Sequence, residues 1–297
     1  MMTVIPDGPH VATQRLTGTV AGWESGAWCL AALALSQRTG DEPLAAAAQD
    51  VLAAAGLVPS AADSAFTPEQ LDGLALTPLL QTAALVEGRS RRWSDHSDAT
   101  LLAQGKASGA AAAMFRDFLL PRYPDLAARL ESPGARMIDV GTGIGALAVG
   151  YARTFAHLHV TGIDVFDRAL ALADSTVREA GLTERVVLRH QDVSELDETD
   201  AYDLAWIPAP FVPEPAFTAG VGRLVAALRP DGLLMVGHGK YDGPELDVAV
   251  TRFKTVAYGG TPLDGPTATR LLESHGLTGV QTVPTPPGAP GLTVGTR

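Results

Sequence analysis

The 297-residue chain has a single cysteine, Cys29, so it can form no internal disulfide and no cysteine-based metal cage. Basic residues are also scarce: 22 Lys and Arg stand against 33 Asp and Glu, a net charge of -11. Such a chain repels the phosphate backbone overall, and a nucleic-acid partner is not expected. Long apolar runs are missing. The longest, residues 27–35, covers nine positions, against roughly 20 for a membrane helix. The opening MMTVIPDGPHVATQRL lacks the basic-then-apolar pattern of a secretory signal, so a cytoplasmic location off the membrane is expected. What is abundant is hydrophobicity: 46% of residues are hydrophobic and 19% charged. That composition buries enough apolar surface to offset lost conformational entropy. The length suits about two domains of roughly 150 residues.

The texture divides the chain near residue 131. Residues 1–131 read as a mainly helical N-terminal domain, with apolar-rich stretches at 27–37 and 44–55. Pro43 suits the first turn of the second stretch, where its missing N–H costs nothing, and Gly56 closes it. Thr67 before Pro68 and Thr77 before Pro78 are two helix-start signals. Residues 101–120 predict one long helix, with Gly105 and Gly109 as weak points. From Pro133-Gly134 onward, residues 132–297 change character. The short apolar runs MIDV, HVTGIDV, VVLRHQDV, YDLAWI and LLMVGH alternate with helical stretches at 146–155, 169–180 and 217–228. Repeated strand-then-helix order signals an α/β fold with a parallel sheet covered on both faces. After a helix at 266–275, GVQTV and LTVGT flank a Pro/Gly-rich turn and predict an antiparallel hairpin at one sheet edge.

The most informative segment is Met137-Ile138-Asp139-Val140-Gly141-Thr142-Gly143-Ile144-Gly145, an apolar strand that ends in alternating glycines and opens into a helix. Glycines there let the backbone bend tightly and let a ligand approach with no Cβ in the way, while the helix N-terminus offers free N–H groups. Nineteen residues past Gly145, at the end of the next apolar run, sits Asp164. An acid at that point can accept hydrogen bonds from both hydroxyls of a ribose. Together they describe a site for an adenosine-containing molecule. A third acid, Asp192, ends the following strand and can meet an adenine amino group.

Residues 137–237 resemble the class I S-adenosylmethionine-dependent methyltransferases. The glycine loop IDVGTGIGALA, Asp164, Asp192, the YDLAWI strand and the LRPDGLLMV turn-strand come in that family's order and at its spacing. The resemblance implies a Rossmann-like, seven-stranded, mostly parallel sheet whose last strand runs antiparallel, with S-adenosyl-L-methionine as cofactor. It implies that Gly141, Gly143 and Gly145 line the methionine portion and that Asp164 holds the ribose hydroxyls. Val165 would pack on the adenine face, Asp192 would meet the adenine amino group beside Val193, and Asp139 would order the loop and its amino-group contacts.

On the acceptor side, the fourth strand runs into Ile207-Pro208-Ala209-Pro210-Phe211, which is similar to the N/D-P-P-Y/F loop of amino-group methyltransferases but departs from it. Ile207 replaces the polar residue and Ala209 splits the prolines, so no side-chain carboxamide is present to hold an amine. Ile207, Pro208 and Phe211 are therefore expected to form an apolar wall for the substrate. His238, at the end of the fifth strand, is the candidate general base, because an imidazole titrates near neutral pH. Tyr241 is a further candidate for the substrate side. The helices before residue 131, with VLAAAGLV and Phe66-Thr67-Pro68-Glu69, are similar to the winged-helix unit of small-molecule O-methyltransferases. That resemblance implies a homodimer and a lid over the pocket. Trp93, His96 and Gln104 are candidate pocket residues and Phe115 a core residue. Arg89, Arg91 and Arg92, the only basic cluster, read as a solvated helix end.

Methyl transfer to a small, partly apolar metabolite is the reading these residues favour, with oxygen the first acceptor considered and nitrogen or carbon next. An NAD(P)-dependent oxidoreductase is the alternative, since Gly141, Gly143 and Ala146 also satisfy G-x-G-x-x-A. Against it, no tyrosine is followed four residues later by a lysine, and the glycine loop starts late in the chain. A non-enzymatic DNA-binding regulator is third, and the acidic balance opposes it.

Overall fold

Apolar runs of five to eleven residues from Arg136 onward pair side by side, and the central ones bury both of their faces, as strands of a parallel sheet do. The computed structural model describes residues 9–36, 42–56, 68–88, 93–109, 111–285 and 290–297. The amino-terminal region contains α1 (Pro9–Ser36), α2 (Glu42–Ala54), α3 (Pro68–Val86), α4 (Asp98–Ser108), the single turn α5 (Ala111–Met114) and α6 (Pro124–Leu130). There follow β1 (Arg136–Val140), α7 (Ala146–Thr154), β2 (His159–Asp164), α8 (Asp167–Glu179), β3 (Val186–His190), β4 (Tyr202–Pro208) and α9 (Glu214–Ala227). The chain ends with β5 (Leu228–His238), α10 (Glu245–Tyr258), α11 (Gly265–Ser274), β6 (Thr278–Val283) and β7 (Gly291–Thr296).

The seven strands form one sheet in the order β3-β2-β1-β4-β5-β7-β6. Strands β1 to β5 run parallel, and β7 enters antiparallel between β5 and β6. The mostly parallel sheet with its antiparallel end is thus the architecture anticipated. Strand alternation splits the core in two. Met137, Leu204, Leu233 and Met235 meet the residues of α5 to α7 on one face. Ile138, Val140, Ala205, Leu234 and Val236 meet α9 and α11 on the other.

Three local expectations are corrected. Thr77-Pro78 does not begin a helix; α3 runs through it. An interior proline costs about 3 kcal/mol or more, yet Ala75, Gln81 and Ala84 on the same helix are buried, and that packing holds it. The long helix at 101–120 is broken after Ser108, continues as α5, then widens into a turn over Phe115–Leu119. The break has a packing cause: a Cβ on Gly150 of α7 would lie 2.9 Å from the carbonyl oxygen of Gly109. Leu228 to Gly232 is not a free turn but the irregular start of β5. Tyr202 pairs with Leu228 while Leu204 pairs with Leu233, and Asp231 takes a φ of 60° to absorb the extra residues.

Of the winged-helix expectation, the described residues before Arg136 show helices and turns only. The segment 57–67, Thr67 with its helix-start role included, lies outside the described residues. So does the cluster Arg89, Arg91 and Arg92. Among the described residues, no helix is long and apolar enough to cross a membrane.

Candidate active site

Three alternate glycines turn the chain from β1 into α7. Gly141, Gly143 and Gly145 adopt φ of 65°, 56° and 74°, a left-handed conformation that only glycine takes at no steric cost. The bend is tied down from β2, where the Ile163 carbonyl accepts a hydrogen bond from the Thr142 amide at 3.0 Å. Gly162 makes that approach possible, since a Cβ there would lie 2.7 Å from the Thr142 hydroxyl oxygen. From the other side, Ile144 in the loop packs where a Cβ on Gly105 of α4 would stand, 2.1 Å from Ile144 Cγ1. Gly105, one of the glycines that weaken the helix prediction at 101–120, is thus what lets α4 lie on the loop, while Gly150 lets α7 approach the backbone at Gly109.

Two carboxylates meet at this bend. Asp139 is buried and accepts a 2.7 Å hydrogen bond from the Thr142 hydroxyl. Burial pushes its carboxyl up to about 7, the Thr142 hydrogen bond works against the rise, and the nearby Asp164 charge adds to it. Asp164 Oδ2 accepts from the Gly143 amide at 2.9 Å and Oδ1 from the Phe166 amide at 3.0 Å. Burial raises its pKa, while the amides of Gly143, Phe166 and Val165 oppose the rise. The Gly143 and Phe166 amides engage one oxygen each, and a carboxylate offers about four lone pairs, so acceptor capacity remains beyond these amides for a ligand hydroxyl. Mutual repulsion between the two acids favours a cation beside them, which a sulfonium with an α-ammonium provides.

Around this centre, Val165 is 59% exposed directly after Asp164, an apolar surface open to a planar base. Asp192 caps the short turn after β3 by accepting from the Ser194 amide at 2.8 Å. Val193 differs from its expected place. Its side chain is buried in the core and packs where a Cβ on Gly220 would fall, 2.6 Å from Val193 Cγ1, so it is a structural support behind Asp192.

The ends of β4 and β5 require larger corrections. Ile207 is fully buried on the α9 and α11 face, so it is core and not pocket wall. His238 points to the same face, because β5 alternates and Leu234, Val236 and His238 share a side. Its Nδ1 lies 2.8 Å from the Gly239 carbonyl oxygen and its Nε2 2.9 Å from the Thr293 hydroxyl. A Cβ on Gly291 would lie 2.3 Å from its ring. Burial lowers the imidazole pKa below its ordinary value. Packed on all sides and bonded at both nitrogens, His238 is a structural link between β5 and β7 and not a general base. Pro208 and Phe211 remain at the crevice. Pro208 Cγ lies 3.7 Å from where a Cβ on Gly141 would be, which places it against the glycine loop.

Phe211 joins an aromatic cluster that the N-terminal helices complete. Its ring stacks on Tyr258 at 5.0 Å and 12°, and the Trp93 ring meets both edge-on at 4.9 and 5.4 Å. The Tyr258 hydroxyl donates to Gln81 Oε1 at 2.5 Å, and the Gln81 amide donates to Gln104 at 3.3 Å. Arg168 of α8 also donates to the carbonyl oxygens of Ser94 and His96 and pairs with Asp98 at 3.2 Å. His96 is buried against Trp93, and Phe115 packs in the core on Tyr151 and Phe155. Tyr258 and Gln81 were not legible as site residues. The available signal for α10 was Pro244 before it, the acids Glu245 and Asp247 in its first turn and Gly259 after it. Tyr241 is half-buried, its ring lies over Gly239, and the Arg252 guanidinium stands 5.7 Å from the ring centre.

A bare glycine bend, strand-end acids at β1, β2 and β3, and an antiparallel β7 inserted beside β5 agree with the class I S-adenosylmethionine-dependent methyltransferases that the sequence resembles. The dinucleotide-binding order 3-2-1-4-5-6 has no such strand, and the oxidoreductase alternative falls with it. Residues 137–232 match a methyltransferase-domain family model. The pyocyanin biosynthetic protein PhzM superposes with a TM-score of 0.65 at 20% identity, covering 97% of this chain and 99% of that one. Human N-acetylserotonin methyltransferase, solved with its S-adenosylmethionine, superposes with the same TM-score at 15% identity over 99% of both chains. A release factor glutamine methyltransferase from Rhodopirellula baltica is 28% identical over 117 residues, 39% of this chain and 38% of that protein. The chain spans well under half the length of the curated relatives it matches first. The chain therefore carries a methyltransferase domain, preceded by a helical region.

Proposed function

We propose that the protein transfers a methyl group to an oxygen of a small, partly apolar metabolite, as a cytoplasmic homodimer whose N-terminal helical domain, residues 1–131, covers the pocket of the catalytic domain, residues 132–297. The observation that carries the oxygen assignment is the segment after β4. Ile207 and Ala209 are both fully buried, so that loop presents no carboxamide with which to grip an amine. This speaks against carrying over the glutamine acceptor of the release factor relative. The wall formed by Pro208, Phe211, Trp93 and Tyr258 suits an apolar or aromatic body instead. Structural likeness over nearly the whole chain to proteins described as O-methyltransferases supports the same reading.

In this site, Gly141, Gly143 and Gly145 would give the methionine portion close access to the backbone. Asp164 would hold the ribose hydroxyls through its remaining lone pairs, Val165 would cover the adenine and Asp192 its amino group. Asp139 would face the α-ammonium. Bound there, S-adenosylmethionine would supply a methyl group on a sulfonium for an acceptor oxygen, with a thioether as the leaving group and water taking the acceptor proton. What the chain contributes is in-line positioning and exclusion of water, the dominant requirement for such a displacement. Titration calorimetry should show binding of S-adenosylhomocysteine and none of NAD. A screen of phenols, carboxylates and amines with labelled donor should then label phenols first. Label appearing on amines alone would overturn the oxygen assignment, and NAD binding alone would overturn the whole reading.

A further inference from the structure

The hydroxyl of Tyr241 is buried and makes no hydrogen bond among the described residues. Buried polar atoms almost always have a partner, and one without it calls for a cause. The position of this one is specific. Tyr241 lies three residues beyond the end of β5, and at that end Gly237 pairs with Pro208 of β4, the residue against the glycine loop. The ring is admitted only because residue 239 is glycine: a Cβ there would lie 2.6 Å from the ring and 2.7 Å from the hydroxyl oxygen. The Arg252 guanidinium over the ring face polarises the phenol and strengthens it as a hydrogen-bond donor. The nucleoside contacts, Asp164 and Asp192, lie on the other side of β1, at the ends of β2 and β3.

We propose that the Tyr241 hydroxyl donates a hydrogen bond to the oxygen atom that receives the methyl group, and that the acceptor is a phenol or phenolate. Such an oxygen carries more than one lone pair, so one can accept from Tyr241 while another is free for the methyl. The proposal rests on the O-methyltransferase reading above, and its test separates the two.

Tyr241→Phe removes the hydroxyl and keeps the ring. A hydroxyl without a protein partner can be removed from the free protein at no loss, whereas one with a hidden partner cannot. The melting temperature of the variant should therefore stay within about 2 °C of wild type. Its affinity for S-adenosylhomocysteine should stay within about twofold, while its affinity for phenol, titrated with S-adenosylhomocysteine present, should fall at least about fivefold. A drop of more than about 4 °C would show that the hydroxyl already has a partner in the protein and would overturn the proposal. Unchanged phenol affinity, weakened S-adenosylhomocysteine binding, or no phenol binding by wild type at about 10 mM would overturn it as well. Failure of wild type to bind S-adenosylhomocysteine would sink the methyltransferase reading instead.

Discussion

The two halves of the sheet's carboxyl edge are built on opposite plans. At β1 and β2, backbone and acids within one strand-turn-helix-strand unit make the site: three left-handed glycines, Thr142 bonded to Ile163, and Asp164 bonded to Gly143. Near the ends of β4 and β5, Ile207 and His238 turn into the core. Phe211, just past β4, instead joins Trp93 and Tyr258 from distant segments in one aromatic cluster. The cofactor half is thus local and the acceptor half assembled. Local construction suits a ligand that never changes, whereas an assembled wall can be altered without disturbing the loop.

The sharpest way to break this contrast is Asp164→Ala. It removes the acceptor for the ribose and frees the amides of Gly143 and Phe166, and hydrogen bonds to a charged group are worth about 1.5–3 kcal/mol each. Affinity for S-adenosylhomocysteine should fall by about two orders of magnitude or more, accompanied by a lower melting temperature. Calorimetry showing near-normal affinity would remove Asp164 from the site. Next in size is His238→Ala, which should cost about 2–3 kcal/mol of stability through its cavity and the orphaned Thr293 hydroxyl. Turnover per folded molecule should be retained; a selective collapse of kcat in a protein that melts normally would restore the base role.

The smallest effect is in pH. Asp139 holds its proton up to about pH 7 in the free protein, well above the 3.8 of an ordinary aspartate. The native state therefore binds more protons than the unfolded state between those values, and this group's contribution to stability declines as pH rises through the window. The ligand's α-ammonium needs the carboxylate, so S-adenosylhomocysteine affinity should climb by up to about tenfold per unit below pH 7 and level off above it. Asp139→Asn should flatten that profile, and a flat wild-type curve would dissociate Asp139 from the ligand. His238 acts in the opposite sense. Burial depresses its pKa, so its contribution is complete above the ordinary histidine range and is lost as pH falls below it.

How much was legible divides along the same line. The glycine loop and the acids at 164 and 192 could be read because the chemistry depends on spacing along one chain segment. The end of β5 misled for a physical reason. Strand alternation fixes which side chains share a face, but only β7 and α11, packing through Gly291 and Gly265, decide that the face of His238 is closed. Val193 failed likewise, because Gly220 on α9 makes room for it in the core. Gly105 and Gly109 read as defects in a helix and are contact points for Ile144 and Gly150.

Sequence by itself determined the order of the seven strands, the left-handed bend and the acid that follows it, since each depends on neighbours a few bonds or one crossover away. Only the tertiary structure decided which of the remaining polar and aromatic groups reach the crevice. Gln81 and Tyr258 are separated by 177 positions yet share a hydrogen bond. No periodicity encodes such a meeting; it follows from how two layers of helices settle against one sheet.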